Sequence, residues 1–261
     1  MARVLIVIPA RYGSQRFPAK VLADLAGKPM IQWVWERAKQ ARKADEVLIA
    51  TDDTRVEKAA LGFGAKVAMT SVEHNSGTER AAEVAGKMDF QIIVNLQGDE
   101  PLFSPKAIDQ LINAIRAEDA AMMASLRVKI KKLSDYLDPN VVKVVCDDQD
   151  YALYFSRSPI PHYRDQEQLF EKWKKDGKCP AGLNPPPCKH LGIYAYHTDF
   201  LKAFAHLPVS ALELAERLEQ LRALAWGFKI KVPETEFDSV SVDVPADLEK
   251  VLSLIKKGDL K

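Results

Sequence analysis

Short apolar runs alternate with helix-forming segments through the first 120 residues, and this alternation constrains the fold more than any other feature of the chain. Strands are predicted at Val4–Ile8, Val47–Ala50, Lys66–Met69 and Ile92–Leu96. Helices are predicted near Pro29–Arg42, Thr54–Leu61 and Thr78–Lys87, and after Pro105. A helix between successive strands makes those strands parallel and covers the faces of their sheet. The sequence therefore predicts an α/β fold with a mostly parallel sheet.

The pattern changes after about residue 120, where strands follow one another with less helix between them. The predicted strands are Met122–Lys129, Val141–Cys146, Ala152–Ser156 and Leu191–Tyr196, with a hairpin turn at Asp147–Asp150. Residues 162–189 are polar and contain several prolines, which predicts a loop or excursion. Helices are predicted near Ser210–Ala225, and "VDVPADLEKVLSLI" near the end predicts a strand–proline–helix junction.

Basic and acidic residues nearly balance, at 37 and 36, which gives a formal net charge of +1. This balance argues against a nucleic-acid-binding surface, which usually carries a basic excess. No apolar run approaches the roughly 18 residues of a membrane span, and Met1–Arg3 leads directly into a predicted strand without a signal peptide. The three cysteines form no C-x-x-C pair, which is typical of a reducing compartment. We therefore expect a cytoplasmic protein.

A cationic loop follows the first predicted strand. In "IPARYGSQRFPAK", Arg11, Arg16 and Lys20 are interspersed with glycine, serine and proline. Ligands of open α/β sheets bind beyond the carboxyl ends of the strands, and cations with free backbone N–H groups there suit a phosphate chain. Gly13 is the only glycine before Gly27, so the loop is neither a P-loop nor a dinucleotide-binding fingerprint. A solvated loop with scattered cations is the alternative.

Carboxylates follow another predicted strand, in "VNLQGDEP", where Asp99 and Glu100 come directly after Gly98. A carboxylate beside a polyphosphate requires a hard cation between them, and Mg²⁺ is bound by one or two carboxylates plus substrate phosphates. Asp243 in "SVDVP" is the candidate second carboxylate, with the N-cap of the last helix as the alternative role. A plain turn is the alternative for "GDEP", but the cationic loop nearby favours a magnesium site.

Ten motifs occur in order along nearly the whole chain: "IPARYGSQRFPAK", "GKPMI", "ATDD", "SGTER", "VNLQGDEP", "NVVKVV", "YALYFSR", "HLGIYAY", "LEQLR" and "VDVPADLEKV". Together they resemble the 3-deoxy-manno-octulosonate (Kdo) cytidylyltransferase family, which makes CMP-Kdo for lipopolysaccharide. The resemblance implies a Rossmann-like nucleotidyltransferase fold with a smaller mixed α/β dimerisation portion, CTP and Kdo as substrates, Mg²⁺ as cofactor, and a homodimer. It also implies a single domain over 1–261, in which 1–120 mainly bind CTP, 121–230 mainly bind sugar and dimerise, and 231–261 return to the core.

The resemblance also implies roles for individual residues. Arg11, Lys20 and Asp99 match catalytic positions, and Asp99 and Asp243 match the magnesium ligands. The implied nucleotide contacts are Ala10, Arg11, Ser14, Arg16, Lys20, Ser76 and Arg80. The implied sugar contacts are Gln97, Arg157, His190, Glu219 and Gln220, with Arg157 expected to meet the substrate carboxylate. The alternatives are a structural histidine at the start of a strand for His190 and a solvated helix face for Glu219.

The reaction implied by the family is an in-line attack of the anomeric hydroxyl of Kdo on the α-phosphate of CTP, with pyrophosphate as the leaving group. Arg11 and Lys20 are expected to neutralise charge on the phosphates. Mg²⁺ is expected to clamp the phosphates and lower the pKa of the attacking hydroxyl. No cysteine or serine lies in a recognisable nucleophile motif, so no covalent intermediate is expected.

Two features depart from the family pattern. Ala19 stands where glycine is common; alanine is tolerated in this turn if its φ is negative, and on that basis we expect little effect. The excursion at 162–189 is longer and more charged than expected and lies between two implied sugar contacts, so it is a candidate for reshaping the sugar pocket. Cys179, Cys188 and His190 match no standard zinc-binding spacing.

Alternative functions differ in what they require of the chain. The closest is a cytidylyltransferase for a related acid sugar, 8-amino-Kdo or sialic acid, which the first loop does not distinguish from Kdo. A sugar-1-phosphate nucleotidyltransferase for another base predicts a glycine-rich first loop, which this chain lacks. A non-catalytic nucleotide-binding protein is expected to have lost Lys20, Asp99 or Asp243, and all three are present.

Overall fold

The computed structural model describes residues 2–13, 17–117 and 120–257 of the chain. Its strands are β1 (Val4–Ala10), β2 (Asp24–Leu25), β3 (Lys28–Pro29), β4 (Glu46–Thr51), β5 (Lys66–Met69), β6 (Ile92–Asn95), β7 (Met123–Lys129), β8 (Lys143–Cys146), β9 (Ala152–Ser156), β10 (Cys188–His197) and β11 (Ile230–Lys231). Its helices are α1 (Met30–Ala38), α2 (Thr54–Gly62), α3 (Gly77–Lys87), α4 (Pro105–Arg116), α5 (Leu133–Leu137), α6 (Glu167–Asp176), α7 (Thr198–His206), α8 (Ala211–Glu216), α9 (Gln220–Ala225) and α10 (Pro245–Lys256). None of the helices within these ranges is long and apolar enough to cross a membrane.

The central sheet has the strand order β11–β7–β10–β6–β1–β4–β5, and the β8–β9 hairpin joins it through β10. Strand β1 pairs in parallel with β4 and β6, and β4 pairs in parallel with β5. Strand β10 is antiparallel to both β6 and β7, so β6 and β7 point the same way. The predicted α/β fold with a mostly parallel sheet is confirmed.

Strand β1 is buried along its whole length because helices cover both faces of the sheet. Ile6 and Ile8 pack in the core layer that contains apolar residues of α1 and α4. Leu5 and Val7, which alternate with them, pack in the layer that contains apolar residues of α3 and α7. A strand buried on both faces needs a continuous apolar run rather than alternation, which is what the first predicted strand shows.

The parallel strands place several loops at one edge of the sheet. Val7 of β1 is the register partner of Asn95 of β6, so the chain leaves both strands side by side at their carboxyl ends. Strand β7 ends at the same edge because it is parallel to β6. The cationic loop, "QGDEP" and the segment after β7 are therefore neighbours. Both halves of the chain share this one sheet, while their division into nucleotide and sugar portions stays a prediction.

Most predicted elements are confirmed, but one helix boundary, one helix that was not predicted and one predicted strand differ from expectation. The first helix ends at Ala38 instead of Arg42. Helix α7 was not predicted, although its buried Phe200, Leu201 and Phe204 follow the spacing of a helix face. The segment before Pro245 is extended but is not a strand, because Val242 donates its N–H to the carbonyl of Asp99 at 2.9 Å instead of joining the sheet.

The 162–189 excursion is not only a loop, because it contains helix α6. The helix buries Trp173 completely, against a small separate core with Ile130, Tyr136, Tyr163 and Leu183. Trp173 also donates its indole N–H to the carbonyl of Lys131 at 3.1 Å. The polar sequence of α6 concealed the helix, since one narrow apolar face is enough to anchor it.

We predict that Trp173→Ala destabilises this small core by about 3–5 kcal/mol, because it leaves a cavity where a fully buried indole stood. Hydrogen exchange should show faster exchange of the α6 amides and unchanged protection of α3. Trp226→Ala is the matched control, since Trp226 is 50% exposed. Wild-type protection of α6 in the Trp173 variant would contradict the assignment of Trp173 as its anchor.

Candidate active site

A cleft of about 250 Å³ lies at the carboxyl ends of β1 and β6. Its lining residues come from the first loop, the start of α3 and the turn after β6; they are Pro9, Arg11, Gly13, Lys20, Val21, Gly77, Gln97, Gly98 and Asp99. The predicted phosphate-binding loop and the predicted metal carboxylate therefore share one cleft.

Gly98 allows the turn after β6 to pass close to the end of β1. A Cβ at this position would stand 2.8 Å from the carbonyl oxygen of Pro9, which is closer than real Cβ contacts. Glycine is therefore required for close backbone approach and not for a special φ. This approach brings Asp99 next to the cationic loop.

Lys20 joins the two predicted metal ligands. Its Nζ lies 2.6 Å from Asp99 Oδ2 and 3.5 Å from Asp243 Oδ1. The Lys20 side chain is 11% exposed, against 28% for Asp99 and 44% for Asp243. The three residues predicted from separate parts of the sequence thus meet in one cluster, with the carboxylates on the more exposed side.

The turn that presents Lys20 corrects one expectation. Ala19 has φ 57° and ψ 21°, in the left-handed region, and donates its N–H to the carbonyl of Tyr12 at 3.0 Å. The condition of a negative φ is not met, because the turn needs this conformation to start the short 3₁₀ turn Lys20–Leu22. An alanine in the left-handed region costs roughly 1–2 kcal/mol, which explains why glycine suits the position.

The segment 238–243, called the strap below, holds Asp243 against the end of β6. Ser239 donates its hydroxyl to Glu100, and Lys189 Nζ lies 2.5 Å from Asp238 Oδ1. Burial raises the pKa of Glu100 to about 7, and its hydrogen bond to Ser239 opposes that shift. Asp243 is not the N-cap of the last helix, since that position belongs to Val244. The metal-ligand role of Asp243 stays a prediction.

Arg11 has an unused donor at the cleft. Its Nη2 is buried and makes no hydrogen bond within the described residues. Burial lowers the pKa of Arg11, and the nearby charge of Arg80 lowers it further. A buried guanidinium nitrogen without a partner is costly, so the site favours an anionic ligand oxygen at this point.

Arg80 lies behind Arg11 and is fully buried. Its Nη2 donates to Asp52 at 2.8 Å, and its Nη1 donates to the hydroxyl of Thr70. The guanidinium is therefore bound to protein atoms, and its predicted contact with the nucleotide stays a prediction. Asp52, in "ATDD", gives this residue a structural role that sequence reasoning did not assign.

Of the other four predicted nucleotide contacts, the structure describes Ser76 and Ala10. Ser76 is the N-cap of α3 and accepts from the N–H of Glu79 at 3.1 Å. Gly77 follows it in the cleft wall, so the helix begins beside the phosphate-binding loop. Ala10 is buried at the end of β1. Ser14 and Arg16 lie outside the described residues.

His190 is part of a buried polar cluster with Ser125. The hydroxyl of Ser125 lies 2.8 Å from His190 Nε2, 3.0 Å from the carbonyl of Leu191 and 2.8 Å from that of Ile193. The carbonyls accept only, which favours the arrangement in which the single hydroxyl hydrogen is given to one of them and His190 donates from Nε2. The His190 Nδ1 lone pair is left as an acceptor. Sequence reasoning missed Ser125, which no motif indicated.

Three of the predicted sugar contacts, Gln97, Glu219 and Gln220, lie at or next to the ends of secondary-structure elements. Gln97 lines the cleft, and Glu219 and Gln220 begin α9. The Gln220 Nε2 is buried and unpaired within the described residues, which fits a ligand oxygen. Burial raises the pKa of Glu219. Glu219 is not on a solvated helix face, as that alternative required, because it accepts from the hydroxyl of Thr78 at 2.5 Å.

Arg157 is held by backbone carbonyls. Its guanidinium group donates to the backbone carbonyl oxygens of Glu216 at 2.7 Å, Pro139 at 3.0 Å and Arg217 at 3.4 Å. Its predicted pairing with a substrate carboxylate stays a prediction. Within residues 2–13, 17–117 and 120–257, no three or more His, Cys, Asp or Glu side chains are arranged to hold a metal ion. Cys179, Cys188 and His190 therefore do not form such a group.

These features define a class of protein. A mostly parallel sheet carries a cationic loop, a helix N-terminus and two carboxylates held by one lysine at its carboxyl edge. Cations for phosphates beside carboxylates of the kind that bind Mg²⁺ are what the transfer of a nucleotidyl group requires. The fold and the site are those of a nucleotidyltransferase.

Comparison with known proteins identifies the family. The family described as cytidylyltransferase matches residues 5–230. The 3-deoxy-manno-octulosonate cytidylyltransferase of Geobacter sulfurreducens is 52% identical over 256 residues, covering 97% of this chain and 99% of the relative. That of Geotalea uraniireducens is 50% identical over 257 residues, covering 98% and 100%. The chain belongs to the cytidylyltransferase family, within its 3-deoxy-manno-octulosonate group, which confirms the resemblance of the ten motifs.

Comparison with solved structures indicates the same family and the same fold. The structure of CMP:2-keto-3-deoxy-manno-octonic acid synthetase complexed with CTP matches with a TM-score of 0.88 and 43% identity, covering 98% of this chain and 100% of that one. The 4-diphosphocytidyl-2C-methyl-D-erythritol synthase of Anaerococcus prevotii matches with a TM-score of 0.61 at 13% identity, over 98% and 96% of the two chains, and so shares the fold. The predicted nucleotidyltransferase fold is confirmed.

The neutral state of His190 predicts a pH dependence of stability. Burial lowers the pKa of His190 to about 3, whereas an unfolded histidine titrates near 6.5. Below pH 6.5 the unfolded chain therefore binds a proton that the folded chain does not, so this contribution to stability is present above pH 6.5 and is lost as the pH falls. His190→Gln should remove about 1 kcal/mol of the stability difference between pH 7 and pH 5.5.

Urea unfolding at the two pH values measures this difference. The exposed His206 provides the control, since His206→Gln should keep the pH dependence of the wild type. A His190→Gln protein that loses as much stability as the wild type on acidification would show that His190 is not held neutral in the folded state.

Proposed function

We propose that this protein transfers the CMP group of CTP to the anomeric hydroxyl of 3-deoxy-manno-octulosonate, with Mg²⁺, and releases pyrophosphate. The observation that carries the proposal is the cluster of Lys20, Asp99 and Asp243 in the same cleft as Arg11, whose Nη2 has no hydrogen-bond partner among the described residues. The names of relatives at about 50% identity over nearly the whole chain support the sugar acid as the acceptor. The CTP complex of the similar synthetase supports the nucleotide.

The residues present fit a magnesium ion. Asp99 and Asp243 supply hard carboxylate oxygens, and Lys20 fixes both at one point of a cleft open to solvent. Two carboxylates with the phosphates of a substrate satisfy the usual ligand set of Mg²⁺, so no third protein carboxylate is required. When bound there, Mg²⁺ supplies charge neutralisation on the phosphates and lowers the pKa of the attacking hydroxyl.

The side chains of the cleft bind the substrate phosphates and stabilise the charge that develops during the reaction. Arg11 and Lys20 bind the triphosphate and neutralise the charge that grows on the leaving group. The anomeric oxygen forms a bond to the α-phosphorus, the bond from that phosphorus to the bridging oxygen breaks, and pyrophosphate leaves with the bonding electrons. The hydroxyl proton passes to solvent. No side chain forms a covalent intermediate.

A related acid sugar, 8-amino-Kdo or sialic acid, is the second candidate acceptor. The excursion that contains α6 favours keeping this alternative, because α6 is anchored to Lys131, just beyond the end of β7, at the sheet edge that also carries Asp99. An elaborated segment near the acceptor end of a cleft is a natural place for acceptor specificity.

We also propose that the protein acts as a cytoplasmic homodimer. Exposed apolar side chains around β9, α8 and α9 support the dimer; they are Leu153, Val209, Leu212, Leu214 and Trp226. Three free cysteine thiols support a reducing compartment.

Pyrophosphate release with CTP and Mg²⁺ tests the function, with Kdo, 8-amino-Kdo and sialic acid compared in parallel. We expect turnover with Kdo. Turnover restricted to one of the other sugars would replace the acceptor and keep the mechanism. No turnover with any of the three, while CTP still binds, would overturn the proposed function.

We predict that Asp99→Asn and Asp243→Asn each lower kcat by on the order of a hundredfold or more, because each removes a charged ligand at the phosphates. Calorimetry should also show that Mg²⁺ no longer strengthens CTP binding to either variant. Asp148→Asn, in the exposed β8–β9 turn, is the matched control and should behave as the wild type. Normal activity of Asp99→Asn would remove Asp99 from the metal site.

A further inference from the structure

Four polar side chains form a continuous chain of hydrogen bonds between the cleft and α9. Gln97 Nε2 donates to Asn95 Oδ1 at 3.2 Å, and Asn95 Nδ2 donates to Thr78 Oγ1 at 3.5 Å. Thr78 Oγ1 donates to Glu219 Oε2 at 2.5 Å. Asn95 is fully buried and Thr78 is 3% exposed, so neither has water as an easy substitute partner.

We propose that Asn95 and Thr78 are positioning residues that turn the amide oxygen of Gln97 toward the cleft, where it accepts a hydrogen bond from a hydroxyl of the acceptor sugar. This inference rests on the proposed function, because it assigns Gln97 to the acceptor. It adds two residues, Asn95 of "VNLQGDEP" and Thr78 of "SGTER", to which the resemblance assigned no role.

The direction of the chain follows from the chemistry of its members. The hydroxyl of Thr78 has one hydrogen, and the carboxylate of Glu219 takes it. The lone pairs of Thr78 are then the acceptor for the amide nitrogen of Asn95. The oxygen of Asn95 consequently points the other way and accepts from the amide nitrogen of Gln97. The Gln97 nitrogen is thereby held on the Asn95 side, with one of its two hydrogens used, and its oxygen faces the opposite way with no hydrogen bond from this chain of side chains.

The position of Gln97 supports the same orientation. Its Oε1 lies 3.3 Å from the point where a Cβ on Gly77 would stand, in the wall of the cleft. The absence of a side chain at Gly77 leaves space beside this oxygen. Arg11 and Lys20 line the same cleft, so the triphosphate has cations nearby while Gln97 presents an acceptor.

An amide held in one orientation distinguishes the hydroxyl groups of an acid sugar from its carboxylate. The oxygen of Gln97 accepts from a hydroxyl and repels a carboxylate, whereas its NH₂ group would attract the carboxylate. An amide free to flip would present both ends. The hydrogen-bond chain therefore determines which part of the sugar lies against Gln97, and the carboxylate must bind elsewhere.

Thr78→Val tests the proposal, because it removes the hydroxyl and nearly preserves the shape. We expect the KM for the acid sugar to rise about tenfold, the value for the loss of one buried orienting hydrogen bond. The affinity for CTP, measured by calorimetry, should change less than twofold. Thr78→Ser should restore the acceptor KM, since it restores the hydroxyl. Asn95→Ala should reproduce the selective loss and provides a second test if Thr78→Val does not fold.

Thr198→Val is the matched control. Thr198, like Thr78, is buried in the first turn of a helix, and it donates its hydroxyl to the carbonyl of Phe90 at 2.6 Å. Loss of this hydroxyl should lower stability and leave both the KM for the acid sugar and the affinity for CTP unchanged. An unchanged acceptor KM in Thr78→Val and Asn95→Ala, an equal loss of CTP affinity, or a failure of Thr78→Ser to restore the acceptor KM would each overturn the positioning role. A wild-type protein that binds CTP and turns over no acid sugar would instead overturn the proposed function.

Discussion

The ammonium group of Lys20 is the point on which the rest of the site depends. It brings Asp99 and Asp243 together, although two carboxylates repel each other. Removing a lysine from water is unfavourable unless opposite charges compensate it, so the nearly buried Lys20 needs these carboxylates as much as they need it. The first loop, the end of β6 and the strap converge because each contributes one charge to this cluster.

The backbone around the cluster is built to leave little freedom. Gly98 lets the turn after β6 touch the end of β1, and Ala19 adopts a left-handed conformation to present Lys20. Behind Arg11, the buried Arg80 is fixed by Asp52 and Thr70. Groups that are already in place need no reorganisation when a charged substrate binds, which is where preorganised electrostatics contributes most to catalysis.

Features of the fold and of the candidate site that depend on local sequence pattern could be predicted. Periodicity located most strands and helices, and strand ends located Lys20 and Asp99, because the carboxyl edge of a parallel sheet follows from the strand order of any βαβ unit. It did not locate α6, whose sequence is mostly polar and whose one buried anchor, Trp173, finds its core only in three dimensions. Nor did it indicate that Arg157 is bound by backbone carbonyls, or that Asn95 and Thr78 meet. Those contacts depend on how distant segments pack, and no local pattern encodes them.

The strap has a consequence for how the molecule comes into being. Lys20 and Asp243 are separated by 223 residues, so the second carboxylate is synthesised long after Lys20. At the usual rates of translation this is a delay of roughly 10 to 45 s. During that time strands β1 and β4–β6 are already available to pair, while the charge cluster lacks one of its members. The cluster is thus closed by a segment that is distant in sequence, after the strands that carry its other two members have been synthesised.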